Sequence, residues 1–270
     1  MRALLATTLA LVTGCGSAVE RSLIYYPTRR LEATPADYGL AFEDVRVTAE
    51  DGVHLHGWYV PGARSVALLW SHGNAGNISH RLENLHRLHR RLGVAVLLFD
   101  YRGYGQSEGT PSEPGTYRDA RAFRAWLRRR EATDAKRIVY FGRSLGAAVA
   151  AALAVDDPPA ALILETPFTS VRAMANATLP GAGYLLRTRY DTLARIAEVR
   201  VPVLVLHGDA DEVVPFRQGR AVFEAAREPK VFFTITGARH NDTYLVGGAA
   251  YWEAWERFLA THVAGWEGRR

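Results

Sequence analysis

Four nearly continuous apolar runs constrain this chain most: Val66–Trp70, Val94–Phe99, Ala161–Leu164 and Val203–Leu206. A strand with one wet face alternates apolar and polar residues. Runs without alternation read as strands covered on both faces, which is the habit of parallel sheets flanked by helices. Further strands are expected at 42–49, 53–60, 137–141 and 230–235, and the four runs extend to 65–71, 94–99, 160–165 and 201–206. Helical patterns fill 78–92, 114–131, 145–156, 215–227 and 248–263. In 114–131, Ala120, Phe123, Trp126 and Leu127 share one face by i, i+3, i+4 spacing, while arginines occupy much of the rest. Regular alternation from residue 65 onward predicts a mostly parallel, eight-stranded sheet with helices on both faces.

The chemistry concentrates at the ends of these strands. Gly142-Arg143-Ser144-Leu145-Gly146 follows the strand ending at Phe141 and opens an alanine-rich helix. A G-x-S-x-G sequence in that context is a nucleophile elbow: the turn is tight, the serine hydroxyl stands clear, and the glycines leave room where Cβ atoms would collide. The helix N-terminus presents unpaired N–H groups and positive partial charge, which favour an oxyanion. Leu145, the residue after the nucleophile, supplies one such N–H.

A serine hydroxyl needs a base, and the base needs an orienting carboxylate. Of nine histidines, only His240 and His262 follow the loop 207–215, and His262 falls in the last amphipathic helix. His240, in the loop after strand 230–235, is therefore the expected base. Asp209 and Asp211 both lie in the loop after strand 201–206, and residue physics alone leaves the choice between them open. His72 precedes the nucleophile in a loop suited to backbone donors and is expected to be structural. Arg143 beside the serine is expected to form an ion pair beneath the elbow, with Glu165 as a candidate partner.

Composition narrows the function classes. The chain has 270 residues, is 48% apolar, and carries a formal charge of +5. All but two of its 33 basic residues, Lys136 and Lys230, are arginine. That weak, dispersed charge argues against nucleic acid as a partner and fits an acidic membrane surface better. One cysteine excludes a disulfide framework and cysteine-based metal sites, and no other metal-ligand spacing is present. Nothing calls for an organic cofactor; the Gly-rich stretch 100–107 lacks the order of a phosphate-binding loop. Met1-Arg2, the apolar run Ala3–Thr13, then Gly14-Cys15 have the layout of a secretory signal too short to span a bilayer.

From about residue 42 to 263 the chain resembles the α/β-hydrolase superfamily, in its serine-aminopeptidase-like and depalmitoylase-like branch. The resemblance rests on Ser71-His72-Gly73-Asn74-Ala75-Gly76-Asn77, Asp100-Tyr101-Arg102-Gly103-Tyr104-Gly105-Gln106-Ser107, Gly142–Gly146, His207–Pro215 and His240-Asn241-Asp242, in that order. It implies an α/β-hydrolase fold with a small cap at about 166–200, and a triad of Ser144, His240 and Asp211. It also implies an oxyanion hole built from the N–H groups of Asn74 and Leu145. Phe168, Tyr184 and Leu185 in the cap are expected to line a substrate groove. Val12-Thr13-Gly14-Cys15 resembles the lipobox of bacterial lipoproteins, which implies cleavage before Cys15 and a lipid on its sulfur. On that reading residues 1–14 are a signal peptide, 15–40 a lipidated tether and lead-in, and 41–270 the hydrolase domain.

The expectation is a monomeric serine hydrolase of acyl esters or thioesters. It would be held by Cys15 at a bacterial envelope membrane, with the outer membrane favoured by the absence of aspartate after the cysteine. Two alternatives remain: a peptidase or amidase on the same triad, and a catalytically silent lipoprotein that binds an envelope partner.

Overall fold

The computed structural model describes residues 18–131 and 137–266. Cys15 and the rest of the expected signal lie outside the described residues. Eight strands form one sheet: β1 (Glu43–Thr48), β2 (His54–Val60), β3 (Ala67–Ser71), β4 (Ala95–Phe99), β5 (Ile138–Arg143), β6 (Ala161–Glu165), β7 (Val203–Gly208) and β8 (Lys230–Ile235). Their order is β1-β2-β4-β3-β5-β6-β7-β8. β1 and β2 pair antiparallel, β2 meets β4 antiparallel, and every later pairing is parallel. The expected mostly parallel sheet is thus observed.

Side-chain alternation explains why the central strands carry no polar face. Leu68 and Trp70 of β3, with Val96 and Leu98 of β4, join one apolar layer; Ala67, Leu69, Ala95, Leu97 and Phe99 join the other. Both layers are capped by helices. On one side Trp70, Phe141 and Trp255 pack in succession, with centroids 5.1 and 4.8 Å apart. On the other, Phe99 stacks on Phe123 at 4.6 Å. Removing each large side chain from water contributes about 1.5–3 kcal/mol.

Around the sheet lie α1 (18–24), α2 (Leu82–Leu92), α3 (Glu113–Glu131), α4 (Leu145–Asp156), α5 (Val171–Thr178), α6 (Thr192–Ile196), α7 (Phe216–Ala225), α8 (Thr243–Val246) and α9 (Gly248–His262). α4 is buried from Leu145 through Ala154, which is why it is apolar all round rather than striped. α5, a 3-10 turn (Ala182–Leu185) and α6 make up the excursion between β6 and β7.

The chain runs from β3 to β4 on one side and returns to β5 on the other. That reversal opens a crevice at the carboxyl ends of β3 and β5, the usual place for a ligand in such sheets.

The lead-in packs closely from α1 onward. Tyr25 is buried, its hydroxyl 2.9 Å from that of Tyr190. Pro27 bridges Gly76 in strand fashion, with Gly76 N–H donating to the Tyr26 carbonyl and Thr28 N–H to the Gly76 carbonyl. Residues 25–30 are thus a strap across the loop after β3.

Candidate active site

Ser144 sits where β5 ends and α4 begins, with φ 53° and ψ −117°. A non-glycine residue in that region is strained, at a cost of about 1–3 kcal/mol, and persists only where its surroundings force it. Its N–H is held by the Glu165 carbonyl at 2.9 Å. The flanking glycines are steric necessities. A Cβ on Gly146 would lie 1.9 Å from the Ser71 carbonyl oxygen, and one on Gly142 would lie 2.3 Å from that of Gly146. The backbone of Gly73 passes beside the serine, so that a Cβ there would be 3.6 Å from the Ser144 Cβ.

His240 and Asp211 come from the loops after β8 and β7, neighbouring parallel strands. His240 Nδ1 lies 2.8 Å from Asp211 Oδ2. The other carboxylate oxygen accepts the N–H groups of Val213 and Val214 at 2.9 and 2.8 Å. His207 Nε2 also lies 3.4 Å from Oδ2 while donating to the Val214 carbonyl at 3.0 Å. Burial alone pushes the Asp211 carboxyl up, but the bonds from His207, His240 and Val214 outweigh it and hold the group well below the usual carboxylate range. Asp209 is used differently: its carboxylate accepts the Gly237 N–H at 2.6 Å and ties the two loops together. The geometry therefore sets Asp211, not Asp209, against the histidine. With Nδ1 committed to Asp211, Nε2 is the nitrogen left to receive a proton.

Arg143 joins the serine to the histidine loop. Sheet register places it beside Glu165, and its Nε donates to Glu165 Oε1 at 2.9 Å. Its Nη2 donates to the His240 carbonyl and, at 3.2 Å, to Asn241 Oδ1. Glu165 also accepts from Thr243 Oγ1 at 2.7 Å and from the Tyr251 hydroxyl at 2.5 Å. Both members of the pair are buried, so removing one leaves an uncompensated charge. Glu165→Gln should cost about 3–5 kcal/mol of stability in urea titration, whereas replacing Arg143 and Glu165 together by apolar residues should cost less than that. Equal losses would contradict this account. Glu165 was a candidate partner in the sequence; Thr243 and Tyr251, a helix N-terminus and a helix interior, carried no local signal.

The loop after β3 is held from three sides. Asn74 Oδ1 accepts the Tyr26 N–H at 3.3 Å and the Tyr104 hydroxyl at 2.7 Å, and its Nδ2 donates to the Ile24 carbonyl. The carbonyl of the Gly73–Asn74 peptide accepts from His72 Nδ1 at 2.7 Å and from Arg81 Nη2 at 3.4 Å. Arg81 Nη2 also donates to the Ala75 carbonyl. Burial and the nearby Arg143 charge push the Arg81 guanidinium down to about 10, so it remains a cation at neutral pH. His72 packs on Tyr101 at 4.6 Å and is buried. It is structural in this arrangement.

The cap residues separate. Phe168 is buried in the core beside α4. Tyr184 and Leu185 are 75% and 85% exposed. They sit on a four-residue 3-10 turn, Ala182–Leu185, at the surface of the excursion between β6 and β7. Among the described residues no group of three His, Cys, Asp or Glu is arranged to hold a metal ion.

Comparison with known proteins agrees with this fold. The alpha/beta hydrolase fold family matches residues 66–195, and the Serine aminopeptidase, S33 family matches residues 175–243. An uncharacterised protein of Mycobacterium tuberculosis is 44% identical over 245 residues, covering 89% of this chain and 87% of that one. The alpha/beta hydrolase domain-containing protein WAV2 of Arabidopsis thaliana is 38% identical, covering 91% and 89%. An esterase of Pyrococcus furiosus has a similar structure, with a TM-score of 0.75 over 89% of this chain and 99% of that one, at 22% identity. With relatives aligned along nearly its whole length and a strained serine at the switch point of its sheet, the chain belongs to the α/β-hydrolase superfamily.

Proposed function

We propose that the protein is a serine hydrolase that cleaves carboxylic ester or thioester bonds of acylated substrates through an acyl-enzyme. The observation that carries the reading is the conjunction of a strained Ser144 with a His240–Asp211 pair joined to it through Arg143. His240 Nε2 takes the Ser144 proton as Oγ attacks the carbonyl carbon, and the carbonyl π pair moves onto oxygen. The N–H groups of Asn74 and Leu145 hold that oxyanion. The C–O or C–S bond then breaks, and the imidazolium protonates the leaving alcohol or thiol. Water, deprotonated by His240, attacks the acyl-serine; the acid departs and Ser144 regains its proton.

The reading includes a lipid on Cys15 and an envelope membrane as the place of work, both resting on the sequence of residues 1–15. The match of residues 175–243 to the serine aminopeptidases favours a second reading, amide hydrolysis on the same triad. A fluorophosphonate mapped by mass spectrometry tests the core of the proposal. One adduct on Ser144, lost in His240→Ala, is expected; a folded protein that takes no label would defeat it. Rates on an ester and its matched anilide then separate the two readings.

Arg81 supplies another check. Donors on the carbonyl oxygen of an amide polarise its N–H, so Arg81 and His72 should strengthen Asn74 as an oxyanion donor. Arg81→Met should lower kcat by about tenfold at unchanged KM, less than the hundredfold or more of a lost donor. A change confined to KM would show that the guanidinium acts on substrate binding instead.

A further inference from the structure

Tyr184 and Leu185 are large, apolar and wet, and the site as described does not use them. They have company. On α1, Val19 and Leu23 stand one turn apart and so share a face, 59% and 63% exposed, while Ile24 and Tyr25 turn into the core. Tyr26 and Leu179 are likewise exposed. α1 and the excursion between β6 and β7 are joined directly: Glu20 Oε1 accepts the N–H groups of Arg187 and Thr188 at 3.0 and 2.6 Å. Those bonds turn the Glu20 carboxylate onto the backbone of the excursion, and arginines are prominent among the exposed charged neighbours. Arg187 and Arg189 are exposed, and Arg172 lies over the Tyr184 ring at 5.4 Å.

We propose that α1 and the 179–189 segment form one docking face for an anionic lipid surface. Two observations select a bilayer over other occupants. Protruding aliphatic and aromatic tips ringed by arginine match an interface whose headgroups are acidic and whose interior is apolar. The chain also enters this face from Cys15, the residue that the proposed reading lipidates, with only Gly16 and Ser17 between it and Ala18, the first described residue of α1. Through Ile24 and Tyr26, the same segment grips Asn74. Docking therefore sets the loop after β3 close to the lipid. This deepens the reading of the protein as a lipid-anchored hydrolase of acylated substrates and rests on that reading.

The lone cysteine makes the test specific. In the full chain, Cys15→Ser removes both the native thiol and any lipid on it. Leu185→Cys or Leu23→Cys then carries an environment-sensitive nitrobenzoxadiazole label, with Glu256→Cys on α9 as the remote control. With vesicles of equal phosphatidylcholine and phosphatidylglycerol, labels at 185 and 23 should brighten and shift to the blue, while the label at 256 stays unchanged. Phosphatidylcholine alone should give a weaker response. Unchanged spectra at 185 and 23, or equal changes at all three sites, would overturn the proposal. So would a blue spectrum before vesicles are added, which would mean that residues 1–17 cover the face. A response to protein concentration alone would overturn it in favour of a second copy. Ser144→Ala in the same background should dock unchanged, so a failure of docking and a failure of hydrolysis are read separately.

Discussion

Ser144→Ala should abolish turnover of a soluble short-chain ester, lowering kcat by about ten-thousandfold or more while the fold stays intact. The size follows from the chemistry assigned to the hydroxyl. Without Oγ no acyl-enzyme forms, and the remaining rate is what the oxyanion donors and binding give to attack by water. Stability should separate two inactive variants. Alanine keeps the Cβ and therefore the strain at φ 53°. Ser144→Gly removes it, and should raise unfolding free energy by up to about 1 kcal/mol once glycine's extra unfolded-state entropy is deducted. Full esterase activity in Ser144→Ala would end the proposed mechanism. Equal stability of the two variants would mean that the turn is not strained.

The central strands and the elbow were legible because their signals are local. A strand covered on both faces writes itself as an unbroken apolar run, and the glycines around Ser144 are demanded by backbone atoms within a few residues or on the adjoining strand. The histidine was legible by its position after the strand that became β8. Asp211 and Asp209 were not separable by residue physics, since both are acidic residues in one loop; what distinguishes them is which carboxylate the chain folds toward His240 and which toward Gly237. The strap was less legible still. Residues 15–40 read as a tether and lead-in, but the partners of the lead-in are not readable, because Tyr26 and Thr28 bind through backbone groups to Gly76 and Gly105, far along the chain, and such bonds leave no periodicity. Arg81 was missed for a related reason. Within Ile78–Arg81 and α2 it looks like one more basic residue on an amphipathic stretch, and only the return of the loop after β3 gives it carbonyls to hold.

Asp211→Asn should lower kcat by about a thousandfold to ten-thousandfold, because the amide cannot hold His240 in the tautomer that presents Nε2 as a base or stabilise the imidazolium that forms. The same carboxylate should leave a mark on stability. Its folded-state pKa lies below the unfolded value near 3.8, since two histidines and two backbone N–H groups favour the anion. The unfolded chain therefore binds more protons in that range, and stability rises with pH. The contribution is fully present above the unfolded pKa and is lost as the pH falls through the folded one. In urea titrations the wild-type protein should exceed Asp211→Asn in stability at pH 6, and the gap should close progressively below about pH 4. A gap that stayed constant down to pH 2 would mean that Asp211 is held no more tightly in the fold than in the open chain. The low pKa would then have no part in keeping the carboxylate ionised against His240. A large loss of kcat with no stability gap at any pH would instead assign Asp211 a role in orienting His240 alone.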